Sequence, residues 1–399
     1  MNRRRRIALG FERVEALLKL LDDPQRSLRV VQVVGTNGKG TTTLALASAL
    51  ETAGQTCGAY LSPHVLSYTE RVMLRGRFVS KEGFAHAMGR TIEVADMNDI
   101  PATQFELLTA GALAMFRDAK LHWAVLEAGL GARHDATSAA GPEAVVLTNV
   151  GLDHTEYLGG TVEKIAEEKL ASLRHGVILI LGTDDLRVIG VARREATRAG
   201  ADVVEHEETE VDCSEEREDT YLARNERLGV RAAEVLLGRP LRRAEREATP
   251  GTTRLPGRFE VHEVRGVPVV VDGGHNPEGL KAALEAVRTE YGDRPLGVVF
   301  GALKDKDVGS MLNILEREAH TLVLTRPALA TDGRVLDPSW VEKEYGPQDA
   351  TGRRAQVASD AGDALRLAME EMEKVDGVVL VTGSLYTGAG ILGWLRRGQ

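Results

Sequence analysis

Short apolar runs alternate with longer stretches of helical character along most of the chain. Arg29–Val34 (RVVQVV) is continuously hydrophobic rather than alternating, the pattern of a strand covered on both faces. A Gly-rich loop follows, then the Ala/Leu-rich stretch Thr41–Thr52, which predicts a helix with Gly54 near its C-terminal cap. Cys57–Leu61, His122–Leu126, Ala144–Thr148 and Val177–Leu181 read as further strands, and Phe105–Phe116 and Thr161–Leu173 as helices between them. The second part repeats the style, with strands at Val267–Val271, Leu296–Phe300, Thr321–Leu324 and Gly377–Val381 and helices at Glu278–Glu290 and Val308–Glu318. Alternation of this kind predicts α/β architecture with parallel sheets covered by helices. Between the halves, Asp202–Asp219 is rich in acidic residues and reads as a solvated loop or edge strand, followed by helical character at Tyr221–Leu237. Thr249-Pro250-Gly251-Thr252-Thr253 is the best linker by composition, which places the boundary near Pro250 and gives domains of 1–250 and 251–399.

Composition narrows the class. The chain has 399 residues, room for two or three domains of roughly 100–200 residues each. Its formal charge of −9 argues against nonspecific nucleic-acid binding, which needs a basic footprint. The two cysteines, Cys57 and Cys213, are too few and too far apart for a disulfide framework or metal cluster, and predict a reduced, cytoplasmic protein. Arg3–Arg6 are followed by only three apolar residues, short of the about 7–15 of a secretory signal. No run nears the roughly 18 apolar residues of a membrane span.

The sharpest feature is Val34-Gly35-Thr36-Asn37-Gly38-Lys39-Gly40-Thr41-Thr42, which follows a predicted strand and opens a predicted helix. That context suits a phosphate-binding loop. Glycines let backbone N–H groups turn toward phosphate oxygens, the helix N-terminus adds donors and a favourable dipole, and Lys39 adds a point charge. The standard G-x-x-x-x-G-K-[ST] pattern is departed from twice, at Val33 and at Gly40, so Thr41 or Thr42 is left to supply the hydroxyl near a metal. The fold class becomes a P-loop-containing parallel-sheet ATPase domain followed by a smaller Rossmann-like α/β domain. Glu127, at the C-terminal edge of the strand His122–Leu126, is placed as a Mg²⁺ ligand.

The motif GTNGKG resembles the folylpolyglutamate synthase/dihydrofolate synthase branch of the Mur ligase superfamily. The resemblance continues in family order through Leu61-Ser62-Pro63-His64, the stretch from Glu127 to Thr137, the stretch from Thr148 to Gly159, and Ile165–Lys169. It ends with Leu255-Pro256-Gly257-Arg258, Asp272-Gly273-Gly274-His275-Asn276-Pro277, Asp305-Lys306-Asp307 and Val381–Tyr386. It implies ATP-dependent coupling of L-glutamate to a pterin or folate carboxylate through an acyl-phosphate, with two Mg²⁺ ions. It puts Gly35, Thr36, Asn37, Gly38, Lys39, Gly40 and Thr41 on ATP, and Ser62 with Glu127 on the first metal. His154 and Lys169 are placed at the second metal, with Lys169 carbamylated; by composition alone Lys169 is a solvated helix lysine. Asn225 is placed on adenine, though alone it reads as a surface helix residue. Arg258, Asp272 and His275 are placed on ATP phosphate or ribose from the second domain, so that the chain would close to react; Lys39, His154, Lys169 and Arg258 carry the chemistry. The sequence departs from the family pattern at Ala132, His134, Ser138 and Gly274, and after Lys169.

Three functions compete at this point. A cell-wall Mur ligase would carry an N-terminal nucleotide-sugar domain, for which the loop beginning at Gly35 leaves no room. A non-ligase nucleotide switch is disfavoured by Lys39, Glu127, His154, Lys169, Arg258 and Asp272 occurring together. Within the folate-type reading, the motifs do not separate addition of the first glutamate from chain extension. The pterin pocket is expected at the N-terminal segment and the loop Ser62–Arg71, with Tyr60, Tyr68 and Phe84 either stacking on the pterin or belonging to the core. Small-molecule substrates, no nucleic acid, no membrane and a monomer complete the expectation.

Overall fold

The computed structural model describes residues 10–205, 220–249, 255–328 and 333–397. Cys213, the N-terminal arginines, Pro250 with the rest of the expected linker, and most of the acidic stretch lie outside the described residues. The chain divides into two compact units; of the described residues, 10–205 and 222–249 form the first, and 220–221 and 255–397 the second.

The first unit is built on eight strands: β1 (Arg29–Val34), β2 (Cys57–Tyr60), β3 (Val72–Leu74), β4 (Arg77–Phe78), β5 (Trp123–Glu127), β6 (Ala144–Leu147), β7 (Ile178–Leu181) and β8 (Asp202–Val204). They lie in the order β4-β3-β2-β5-β1-β6-β7-β8. Neighbours from β2 to β8 run parallel, while β3 and β4 add an antiparallel hairpin at one edge. The sheet is therefore mixed where the sequence predicts a parallel one, because the tight turn between β3 and β4 can only return the chain antiparallel. The acidic stretch supplies β8, an edge strand.

Register decides where the loops emerge. Tyr60 stands beside Leu126, Val33 beside Glu127, and Val34 beside Leu147. The segments after β1, β2, β5 and β6 therefore leave the same C-terminal edge, at the point where the chain passes from β5 on one side of β1 to β6 on the other, the usual place for a ligand in an open α/β sheet.

The helix after β1 spans Lys39–Thr52, two residues earlier than the sequence predicts, because Gly38 adopts φ 81° as its N-cap. Gly54, at φ 83°, ends it as expected and donates to the Glu51 carbonyl. The helix Gln104–Asp118 begins with a reciprocal capping box: Thr103 Oγ1 accepts from Glu106 N–H, and Glu106 Oε2 from Thr103 N–H. The stretch predicted as Thr161–Leu173 is helical only over Val162–Lys169. There the buried Leu170 leaves helical geometry, at ψ 2°, and packs with Val177 and Leu179.

The second unit carries β9 (Glu260–Val264), β10 (Val267–Val271), β11 (Leu296–Phe300), β12 (Thr321–Leu324), β13 (Gln356–Val357) and β14 (Val378–Thr382), in the order β13-β12-β11-β14-β10-β9. All neighbours are parallel except β9 and β10. β10, β11, β12 and β14 are buried along their whole length, as continuous apolar runs require. No helix among the described residues is long and apolar enough to cross a membrane.

Gly229, in the helix Tyr221–Leu237, lets that helix press on Lys39–Thr52: a Cβ there would lie 2.6 Å from Ala45 Cβ and 2.7 Å from both Leu46 N and Thr42 O. Those obstacles are mostly backbone and cannot swing aside. Gly229→Ala is expected to lower stability by about 1–3 kcal/mol through overpacking, against the usual helix preference for alanine. Gly190→Ala, in open space on the helix Leu186–Ala199, is expected to raise it by up to about 1 kcal/mol. Urea midpoints of the two variants check the opposite signs.

Candidate active site

The Gly-rich loop is shaped by the segment after β6. Thr36 N–H donates to the Asn149 carbonyl at 2.9 Å, and Asn37 N–H to Asn149 Oδ1 at 2.9 Å. Thr148 Oγ1 and Asn149 Nδ2 both donate to the Asn37 carbonyl, at 2.7 and 3.1 Å. The Thr36 hydroxyl donates to the Gly151 carbonyl and accepts from its N–H. Gly35 sits at φ 150°, where a Cβ would fall 1.9 Å from Thr148 Oγ1, so no other residue fits. Thr36 and Asn37 are thus braces of the loop: their amides and the Thr36 hydroxyl bond inside the protein. Gly38, Gly40 and Thr41 sit where a helix leaves amides without intrahelical partners. Thr42 N–H already bonds the Gly38 carbonyl.

Two lysines meet on this loop. Lys39 Nζ donates to the carbonyls of Gly35 and Thr36, each at 3.1 Å, and Lys169 Nζ donates to the Gly35 carbonyl at 2.7 Å. Lys169 is 5 % exposed, so it is not a solvated helix lysine. Its spacing carries the signal: it follows Ile165 by four residues and shares that residue's buried face. Burial, and then the neighbouring Lys39 charge, pull its pKa from 10.5 down to about 7, while Asp153 and Asp135 oppose the drop.

Glu127 is buried at the end of β5, and its Oε2 accepts from Ser62 N–H at 2.8 Å. Ser62 Oγ accepts from Arg71 Nη1 at 3.2 Å. A hydroxyl and a carboxylate brought together in this way are hard oxygen donors and fit Mg²⁺. His154, at φ 50°, lies just before the short helix Thr155–Leu158; its N–H bonds Asp153 Oδ1 at 2.9 Å and its Nε2 lies 3.9 Å from Asp153 Oδ2. Lys169 as an ammonium fits no metal; only a modified, anionic side chain would. Among the described residues no group of three or more His, Cys, Asp or Glu is spaced to hold a metal ion. Each expected set contributes one such group, so phosphate and water oxygens would complete either shell.

Asn225 presses its carboxamide on the phosphate loop: a Cβ at Gly38 would lie 2.2 Å from Asn225 Oδ1. Tyr60, 0 % exposed, belongs to the core, which removes it from the candidates for pterin stacking. Tyr68 and Phe84 are half-buried, with ring centroids 6.2 Å apart, and His64 lies 4.1 Å from the Tyr68 ring.

Asp135 was not singled out from the sequence. It is buried beneath the turn after Glu127, where its carboxylate accepts from the N–H groups of Gly129, Leu130 and Thr137 and from the Thr137 hydroxyl. Burial raises its pKa, and these bonds, led by that of the Thr137 side chain, hold the rise back. Its place in the stretch Glu127–Thr137 was visible; its inward direction was not.

In the second unit, Asp272 is likewise an internal clamp. Its Oδ2 accepts from Tyr221 OH at 2.5 Å and from Phe259 N–H at 2.9 Å, and its Oδ1 from Gly274 N–H at 2.9 Å. Those bonds fix the turn carrying Arg258 to the turn carrying His275. Arg258 lies along Gly273, where a Cβ would meet its Nη1 at 2.8 Å. His275 Nδ1 pairs with the Gly273 carbonyl at 3.0 Å, and Asn276 caps the helix Pro277–Tyr291.

The Mur ligase middle domain family matches residues 33–226, and the family described as Mur ligase, glutamate ligase domain, matches residues 257–385. The dihydrofolate synthase/folylpolyglutamate synthase of Bacillus subtilis is 30% identical over 417 residues, covering 94% of this chain and 93% of that protein. The crystal structure of Escherichia coli FolC in complex with DHPP and ADP aligns with a TM-score of 0.84 at 27% identity, over 98% of this chain and 94% of that one. A bifunctional folylpolyglutamate synthase/dihydrofolate synthase from Yersinia pestis, complexed with AMPPNP and Mn ion, aligns at 0.83 with 29% identity, over 98% and 95%. Two successive Mur ligase domains, and a relative this similar over nearly its whole length, show that the chain belongs to the dihydrofolate synthase/folylpolyglutamate synthase family of Mur ligases.

Proposed function

We propose that the chain is a bifunctional enzyme that joins L-glutamate to dihydropteroate and extends folate polyglutamates, acting as a cytoplasmic monomer. It is an ATP-dependent acid–amino acid ligase that uses a divalent metal. The observation that carries the reading is the braced Gly-rich loop with Lys39 and Lys169 on one carbonyl, beside Ser62 and Glu127 at the same sheet edge.

An amide does not form from a carboxylate and an amine in water without activation. A carboxylate oxygen of the acid attacks the γ-phosphorus, the bond to the β-phosphate oxygen breaks, and ADP leaves. The glutamate amine then attacks the acyl carbon and phosphate departs with the oxygen. Protein groups contribute position and charge rather than covalent chemistry. The amides of Gly38, Gly40 and Thr41 suit phosphate oxygens, and the Lys39 ammonium suits the outer phosphates. Mg²⁺ held by Ser62 and Glu127 would neutralise charge on the transferred group. Arg258 and His275 are assigned to ATP, with Asp272 holding their turns, and Asn225 to the nucleotide beside Gly38.

Lys169 suits carbamylation. Only a neutral amine attacks CO₂, forming a C–N bond and releasing a proton, and a pKa near 7 keeps much of the side chain neutral at physiological pH. The carbamate would give His154 an anionic oxygen partner for a second metal.

Labelled glutamate should be incorporated with ATP on dihydropteroate and on tetrahydrofolate, one ADP per amide bond; incorporation on neither, by folded protein that binds ATP, would overturn the assignment. Lys39→Ala is expected to lower kcat/KM by about 10²–10³-fold. With ¹³C-bicarbonate, the wild type should give a carbamate carbon signal that Lys169→Arg abolishes. Lys169 also makes stability depend on pH. Its folded pKa lies below its unfolded one, so the unfolded chain holds the extra proton between about 7 and 10.5 and stability rises with pH across that window. Without bicarbonate, Lys169→Met should therefore gain stability over the wild type at pH 6 and lose most of that advantage by pH 10, as urea midpoints would record.

A further inference from the structure

Arg71 follows the loop Ser62–Glu70 and is 7 % exposed. Its carbonyl accepts from Leu61 N–H, so it stands at the C-terminal end of β2, on the edge that carries Glu127 and the phosphate loop. Its guanidinium has two partners, and both are neutral. Nε donates to His64 Nδ1 at 2.8 Å and Nη1 to Ser62 Oγ at 3.2 Å. Among the described residues no carboxylate lies within ion-pair distance of it. A buried cation without a counter-charge is costly, and proteins normally pair one. Tyr60, fully buried beside it, lies within electrostatic reach of Arg71. The guanidinium thus lies under a turn whose outer residues Ser62 and His64 are only half-buried.

We propose that Arg71 is a carboxylate subsite: the end of its guanidinium formed by Nη1 and Nη2 holds the carboxylate of the acid that is to be phosphorylated. The assignment rests on the ligase reading above. A planar fork of donors matches a carboxylate in two-point contact, which an ammonium cannot reproduce. Ser62 ties the subsite to the phosphate chemistry, because the same residue takes the Arg71 hydrogen bond at Oγ and donates its N–H to Glu127. The His64 bond holds the guanidinium in its plane from the other side. An acid seated there lies next to the group that activates it, whereas the glutamate to be added has no need of this position.

The test is steady-state kinetics of Arg71→Lys and Arg71→Ala, varying acid, glutamate and ATP separately, with thermal midpoints recorded alongside. Loss of a charge-assisted, two-point contact should raise the KM for dihydropteroate or tetrahydrofolate by about 10- to 100-fold in Arg71→Lys. The KM values for ATP and glutamate should stay within about twofold. Methylguanidinium added to Arg71→Ala should restore part of the acid affinity, which a merely structural role would not do. A raised KM for glutamate alone would place the amino-acid carboxylate there and overturn the proposal. So would unchanged KM values with a lowered thermal midpoint, which would leave Arg71 a structural residue. If the wild type turns over neither acid, the ligase reading itself fails; normal wild-type turnover with an unaltered acid KM in Arg71→Lys overturns the subsite alone.

Discussion

The Gly35 carbonyl is the point on which the first unit's site turns. Two lysines from different helices donate to it, one at 3.1 Å and one at 2.7 Å, which brings two ammonium groups close in a largely buried setting. Two unit charges about 4 Å apart repel by about 4 kcal/mol at an effective dielectric of 20. Asp153 and Asp135 offset part of such a cost at Lys169. Burial and the Lys39 charge still pull the Lys169 pKa down to about 7. In the proposed reaction, phosphate on Lys39 and a carbamate on Lys169 would bring an anion to each side chain.

That geometry depends on glycine and on hydrogen bonds that occupy the loop's backbone and the Thr36 hydroxyl. Gly35 must lack a Cβ because Thr148 Oγ1 takes its space, and Gly38 because Asn225 does. Thr36 and Asn37 turn inward to Asn149 and Gly151, so the loop cannot relax toward either lysine. Asp135 does the same for the turn after Glu127, and Asp272 for the turns around Arg258 and His275. In three motif stretches, Thr36, Asp135 and Asp272 thus bond inward and brace the turns that carry them.

Sequence patterns reveal such bracing poorly. The strands β1, β5, β6, β7, β10, β11, β12 and β14 were legible because burial on both faces leaves an unbroken apolar run. β3, β4, β9 and β13 were not: β3 spans only three residues, β4 and β13 have two exposed residues each, and β9 alternates at an edge, while β8 was legible only as one of two readings of the acidic stretch, a loop or an edge strand. Motif spacing grouped Gly35–Thr41, Glu127, His154 and Lys169, and the structure puts Lys39 and Lys169 on the Gly35 carbonyl. It put Thr36, Asn37 and Asp272 on ligand and did not reveal that each also bonds inside the protein, because spacing records which residue types recur and not which way they face. Arg71 escaped notice for the same reason: a lone arginine at a strand edge has no periodic partner, and only its burial without a counter-ion marks it.

Net charge misleads in a related way. A formal charge of −9 would seem to repel an anionic acid and ATP. Surface carboxylates act through water and salt, and their fields fade beyond about 8–10 Å. Many are also matched by arginines at the surface, as Glu205 is by Arg193, Glu245 by Arg239 and Glu342 by Arg354. Lys39, Lys169 and Arg71 stand instead at one sheet edge, the last two buried, beside the N-terminal amides of a helix. Each acts over a few ångströms at a dielectric several times below that of water, so an anion there is attracted more strongly than the distant surplus repels it. The acidic surface then serves solubility, and the local field at the loop decides what binds.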